Sequence, residues 1–263
     1  MAISRWFKPF SGVDRKILLA LIAGQAILAL LVWSVAPIQG LPSPPAIVHS
    51  WIGLVTKQGL LRELWTSIET IAYALAISSI LSIAIAALYS APFFRPAAQL
   101  ISSFRFLGFA GLTFLFTLAA ASGFELKLAL LTFGMSVFLT TNLLSEVDTI
   151  QSSDIDYAKT LGMHGWRAMW ELFILGRAHV SLDLIRQNAA VGWTLLSMVE
   201  GLVRSEGGIG SMLLTQNRHF NLDAVFAIQI TILAYGLLQD RLLNAMRAMF
   251  CPYSEIERRR QHG

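Results

Sequence analysis

The sequence predicts an all-α integral membrane protein with about six transmembrane helices and one long cytoplasmic loop. Three observations predict it: an apolar composition, recurring apolar runs of near-bilayer length, and an uneven split of basic residues between the segments that join them. Hydrophobic residues make up 55% of the 263 residues and charged residues 14%, against roughly 25% charged in an ordinary soluble domain. Mean hydropathy is +0.61. Water is not the solvent for most of this chain. The apolar runs are continuous and do not alternate, which calls for helices, because a helix satisfies its own backbone groups in lipid. The net charge of +4 does not point to nucleic acid, since no basic stripe with interleaved aromatics stands apart from the apolar runs. One cysteine, Cys251, excludes an internal disulfide, and no Cys/His group has zinc-ligand spacing.

Residues 1–16 read as a cytoplasmic segment, because Arg5, Lys8, Arg15 and Lys16 precede the first apolar run at 17–36. Ser34, Val35 and Ala36 resemble a cleavage site, but a signal h-region is only about 7 to 15 residues long. The run is therefore expected to stay as the first span. Prolines at 42, 44 and 45 break any helix there, and the stretch 46–63 with Trp51, followed by Trp65, is expected to lie along the outer interface. Further spans are expected at 66–88, 97–121, 126–144, 187–203 and 223–243, each near the length a bilayer core requires. The membrane domain is thus 17–248, and 249–263 is a cytoplasmic tail. Six spans put both termini inside. About fourteen basic residues, including Arg95, Lys159, Arg167, Arg177, Arg186 and Arg247, then fall on the cytoplasmic side. About five (Lys57, Arg62, Lys127, Arg204, Arg218) fall outside.

The polar interruption 145–186 is far longer than a connection between two helices needs. Ser153 and Asp156 stand at capping-box spacing for a helix start. Gly162 then interrupts the helix at a position suited to a turn with positive φ. Trp166, Met169, Trp170 and Phe173 recur at three-to-four spacing and are expected to form one apolar face of a second short helix.

This loop resembles that of binding-protein-dependent ATP-binding-cassette permeases, whose pattern is Glu-Ala-Ala, three residues, Gly, nine residues, then an apolar stretch ending Leu-Pro. Asp156, Ala158 and Gly162 match in kind and spacing, while Tyr157 replaces the middle alanine and Leu175 replaces the proline. The resemblance implies that the loop is a coupling helix seated on an ATPase subunit, with Asp156, Ala158, Gly162, Trp166 and Trp170 at the contact. Over nearly the whole chain the likeness is greatest to the nitrate, taurine and sulfonate importers. Leu41-Pro42-Ser43-Pro44, Val199-Glu200-Gly201, Glu206-Gly207-Gly208-Ile209-Gly210, Leu238-Gln239-Asp240-Arg241 and Ser103-Phe104-Arg105 carry it. Phe106 and Gly108 stand where that subfamily usually has prolines.

The resemblance implies a permease of the bacterial cytoplasmic (inner) membrane that moves a small anionic solute. Its partners would be an ATPase dimer that holds the ATP and magnesium, a second permease copy, an extracytoplasmic solute-binding protein and membrane lipid. The chain has no Gly-x-x-x-x-Gly-Lys-Ser/Thr phosphate loop and no His-Glu-x-x-His, so hydrolysis is expected on a partner, and no catalytic or metal site is expected here. His164, His179 and His219 are isolated and read as loop or surface residues.

Charges inside spans are costly and are functional candidates. Arg105 lies within the third run, either on the solute pathway or snorkelling to the inner headgroups. Glu200, near the outer end of the fifth run, reads as a gate or a packing group, and the glycines at 192, 201, 207, 208 and 210 as close-packing or turn positions. Two other classes stay open: an ion-coupled secondary transporter, which needs intramembrane acids or broken helices, and a membrane scaffold or enzyme without transport.

Overall fold

A computed structural model describes residues 15–35 and 42–251. The expected N-terminal segment up to residue 14, Leu41 and the basic tail with Arg258, Arg259 and Arg260 lie outside the described residues. Among the described residues the structure is helical, without strands. In chain order the helices are α1 (Arg15–Val35), α2 (Pro44–Lys57), α3 (Leu60–Tyr89), α4 (Arg95–Ser103), α5 (Phe109–Ala119), α6 (Gly123–Asp148), α7 (Ser152–Thr160), α8 (Trp166–Met169), α9 (Ala178–Leu202), α10 (Ile209–Arg218) and α11 (Leu222–Phe250).

Three of these, α3, α6 and α11, are long and apolar enough to cross a membrane. At 1.5 Å per residue each is about 39 to 45 Å long, more than the roughly 30 Å of a bilayer core. A fourth crossing is counted only if the bent pair around α4 and α5 is one span, because the two halves meet at 117°. The break corrects the expectation of one continuous helix over 97–121. A 3₁₀ turn at Phe104–Phe106 closes with Leu107 N–H donating to the Phe104 carbonyl at 2.9 Å, and Leu107 and Gly108 are extended. Gly108 and Gly111 beside this turn are weak helix formers, so the break falls where helix propensity is lowest. Two other boundaries move. The interfacial stretch expected over 46–63 ends at Lys57, since Gly59 adopts φ +70° and starts α3 at Leu60, which leaves Trp65 on α3. The α9 helix starts at Ala178, nine residues before the expected span.

Side-chain pairs fix the helix directions. At one end, Ser67 near the start of α3, Lys127 near the start of α6 and Glu200 at the end of α9 share one bonded cluster. At the other, Tyr89 closing α3 bonds Asp148 closing α6 at 3.1 Å, and Arg177 before α9 pairs with Glu146. Thus α3 and α6 run parallel and α9 runs back between the same two ends. Arg186 and Arg247 tie α11 to α9 antiparallel, and Trp51 of α2 donates to Thr231 Oγ1 of α11 at 3.1 Å.

The core sits where α3, α6 and α9 meet. Buried α3 residues Ala74, Ser78, Ser82 and Ala86 recur every four positions, a small-residue stripe that lets α6 approach closely. Two side chains grip successive carbonyls of α6: Asn188 Nδ2 donates to Met135 O at 3.2 Å and Ser82 Oγ to Ser136 O at 3.0 Å. Large apolar side chains point outward instead, among them Ile80, Leu118 and Leu233. The core beside this stripe is filled by Ile71, Leu131, Met135, Leu139 and Leu196, and an exterior as apolar as the core suits a chain solvated by lipid.

Candidate functional site

The loop from Gln151 to Arg177 folds as α7, a turn, α8 and a π-helical turn at Trp170–Leu175. Gln151 and not a serine precedes α7, and no side chain caps it. The capping box expected of Ser153 and Asp156 is therefore not formed. Ser153 bonds Gln151, while Asp156 pairs with Lys159 at 2.8 Å on an exposed surface. Gly162 has φ +78°, the left-handed conformation expected of it, and Met163 N–H reaches back to the Ala158 carbonyl at 3.0 Å. Gly165, at φ +56°, then starts α8.

Ala158 is only 2% exposed, buried within the loop's own fold. Its small side chain allows α7 to lie close to α8 and the π turn. The expected single aromatic face of the second helix splits in two. Phe173 is buried and Met169 packs toward a core cluster with Tyr89, Ala98 and Leu143, whereas Trp166 and Trp170 are each 54% exposed. The π turn inserts an extra residue per turn, with Gly176 N–H donating to Glu171 O at 2.9 Å, and such turns recur at functional sites. With Tyr157 and Leu161, also exposed, the two indoles form an outward aromatic and apolar surface on the loop.

Behind the loop, charges clamp the helices together. Arg177 pairs with Glu146 and also bonds Thr149. Asp183 accepts from Arg186 at 3.0 Å and Arg247 at 3.1 Å, and Arg186 reaches Asp240 at 2.5 Å. Asp183 precedes the span expected at 187–203. Burial pushes its carboxyl up, but hydrogen bonds from Arg186 and Gln187 and the charges of Arg186 and Arg247 outweigh this and hold it below its ordinary value.

Arg105 lies on the 3₁₀ turn between α4 and α5, exposed, with its guanidinium 4.9 Å from the Phe106 ring centre. Its neighbour Phe104 stacks on Phe133 of α6, ring centres 6.3 Å apart. With Ser102 bonded to Thr141 at 2.8 Å, that sets Arg105 beside α6 between the levels of Thr141 and Phe133, about 10 to 22 Å of helix rise from Asp148.

At the opposite end Glu200 and Lys127 are both fully buried. Lys127 Nζ lies 3.9 Å from Glu200 Oε1 and donates at 3.1 Å to the Gly207 carbonyl. Glu200 accepts from Ser67 Oγ at 2.7 Å and from Gly210 N–H at 2.8 Å, Ser67 in turn accepts from Ile209 N–H at 2.8 Å, and Glu63 accepts from Gly208 N–H at 2.5 Å. Three successive N–H groups at the start of α10 are thus held by side chains of α3 and α9. Gly208, at φ +106°, has the Glu200 carboxylate where a Cβ would stand. The bonds of Glu200 to Ser67 and Gly210 clasp α10 against α3 and α9, the arrangement expected of a packing group.

Lys127 escapes a sequence reading, which counts it among the outer charges. Its only sequence signal is a lone lysine inside an apolar run, with Glu200 and a Gly-Gly pair far along the chain. No known protein-family model matches the sequence, and no characterised protein matches it.

Proposed function

We propose that the chain is the membrane-spanning permease subunit of an ATP-binding-cassette importer for a small anionic solute, working as a homodimer of six-span subunits in the bacterial cytoplasmic membrane. One observation carries this reading: a two-helix loop, hinged on a left-handed Gly162, presents Trp166, Trp170, Tyr157 and Leu161 outward at one end of a bundle of long apolar helices. Exposed indoles are costly in water and are favoured anchors at protein interfaces. On this reading the loop faces the cytoplasm and docks on the ATPase subunit. ATP-driven closure of the ATPase pair then moves the loop and tilts the bundle between outward and inward openings. A solute-binding protein delivers from the other side, where the clasped α10 lies.

The position of Arg105 supports an anion pathway. A guanidinium that lies beside α6 between Thr141 and Phe133 stands inside the bundle's length, and holding it against hydrocarbon is costly. A water-filled path or the facing subunit relieves that cost. An ion-coupled transporter draws less support, because the buried acid Glu200 already spends its lone pairs on Ser67 and Gly210 beside a buried lysine.

The test is copurification and transport with Trp166→Ala and Trp170→Ala, separately and together. Both side chains are exposed, so the bundle should assemble unchanged. Each anchor at an interface centre is worth about 2 kcal/mol or more, roughly thirtyfold in affinity. ATPase subunit recovered with the double variant, solute-stimulated hydrolysis and uptake should all fall. Full recovery and normal uptake in the double variant would remove the support for this assignment.

A further inference from the structure

We propose that the pocket beneath the loop is a binding site for an anionic membrane phospholipid. The pocket, about 520 Å³, lies between the C-terminal ends of α3 and α6, the Pro92–Phe94 turn and the loop. Two cations line it, Arg95 and Lys159, with Asp148 the one carboxylate of the lining; Lys159 also pairs with Asp156 at 2.8 Å on the exposed side of α7, a contact that solvent screens and a phosphate can replace. Asp148 accepts from the Tyr89 hydroxyl at 3.1 Å, which turns part of its charge away from the cavity. The Arg95 guanidinium sits 5.6 Å above the Tyr89 ring centre and makes no ion pair among the described residues. A planar cation poised over an aromatic ring, with its donors unspent on carboxylates, is suited to a phosphate diester.

Ser90 and His164 add polar groups, but most of the remaining wall is apolar, with Ile155, Met169, Leu172 and Phe173, so a purely ionic ligand would leave most of the pocket unfilled. Location selects the ligand. The pocket opens at the ends of two helices long enough to cross a membrane, beside Phe93, which is almost fully exposed and packs edge-on against Phe94. Exposed aromatics at a helix end mark the headgroup level of a bilayer, and basic pockets between membrane helices at that level take anionic headgroups. A phospholipid supplies both halves of the match, a phosphate for Arg95 and Lys159 and an acyl segment for the apolar wall. The site depends on α3 and α6 crossing the bilayer; it shares Trp166 with the loop surface proposed to dock the ATPase subunit, so lipid binding is read on the chain alone.

The experiment uses the full chain, purified in detergent and depleted of lipid, titrated with short-chain phosphatidylglycerol, phosphatidylcholine or inorganic phosphate while bound lipid is read by native mass spectrometry. Phosphatidylglycerol should bind in preference to phosphatidylcholine. Affinity should drop about fivefold for each of Arg95→Gln and Lys159→Gln and about thirtyfold for both, while Arg218→Gln at the opposite end leaves it unchanged. Lys159 is exposed, so its variant keeps the fold even if Arg95→Gln does not. Equal binding of the two lipids, equal affinity in Lys159→Gln and the parent, or saturation by inorganic phosphate with no lipid preference would each overturn the site.

Discussion

Removing the Glu200 carboxylate should unfasten α10 from the rest of the bundle. In Glu200→Gln the shape is kept, but the amide presents a donor where both Ser67 Oγ and Gly210 N–H also donate, and Lys127 is left as a buried cation held only by backbone carbonyls. Breaking one side of a buried ion pair costs about 3 to 5 kcal/mol. For a chain of this size that lowers the melting temperature by roughly 6 to 20 °C. Lys127→Met should cost a similar amount by stranding the carboxylate. The double variant should recover part of the loss, since neither residual group is then an unpaired charge, with a coupling energy of about 1 to 3 kcal/mol. Thermal unfolding in detergent of the four proteins, followed by tryptophan fluorescence, measures the cycle. Single variants within about 0.5 kcal/mol of the parent, or strictly additive losses, would show that the cluster does not act as a unit. Gly208→Ala gives an independent check, because φ +106° and the carboxylate behind it both oppose a side chain.

Gly162→Val should strain the loop by about 1 to 3 kcal/mol at φ +78°, and Gly162→Asn, which tolerates that region, should be milder. Since a Cβ there meets open space within the chain, the melting temperature of the isolated permease reports the backbone strain, and on the permease reading ATPase subunit copurified per permease should fall with it. Arg105→Leu should reduce uptake of the solute with the complex still assembled, and Arg105→Lys should retain part of it, since charge persists without the planar fork; uptake unchanged in Arg105→Leu would place the residue off the pathway. The depressed Asp183 carboxyl contributes stability that is present above its unfolded pKa and is lost as pH falls through its lower folded value. Asp183→Asn should therefore flatten the acid side of the stability–pH curve and leave the neutral region lower, measured by melting temperature against pH.

Helix content and the approximate places of the long helices were legible from apolar runs, because the cost of unpaired backbone in lipid leaves few alternatives. Which face of each helix is buried was not legible. In water an apolar stripe marks the core, but in α3 the stripe facing α6 is Ala74, Ser78, Ser82 and Ala86, while Ile77, Ile80 and Leu81 face out. Hydrophobicity loses its power to point inward when the solvent is itself apolar. The same loss explains the loop. Spacing groups Trp166, Met169, Trp170 and Phe173 on one face, yet only the latter member of each pair of choices, Met169 and Phe173, turns toward the core cluster. Lys127 was counted with the exposed charges because its partners lie in α9 and at the start of α10, and no local pattern joins positions so far apart. Gly162 was legible, since a turn between two short helices makes a demand that glycine meets locally.

The bonds along α9 bear on how motion at the loop reaches the other end. Arg177 anchors its start to α6, Asp183 and Arg186 tie it to α11, Asn188 holds the Met135 carbonyl, Trp193 donates to Gln239 at 2.6 Å, and Glu200 closes the far end against α3 and α10. Attachments at so many levels oppose sliding of α9 past its neighbours, most of all at Asn188 and Glu200, whose bonds are buried and find no replacement partner when broken. On the proposed permease reading, these ties would carry a displacement of the loop to α10 as a joint movement of α3, α6, α9 and α11. A compliant part would then lie outside that unit, and the extended Leu107–Gly108 break beside Arg105 interrupts the helical backbone there. In an alternating-access cycle driven from the loop, Arg105 would thus stand at the joint that changes shape while the clasped helices move as one body.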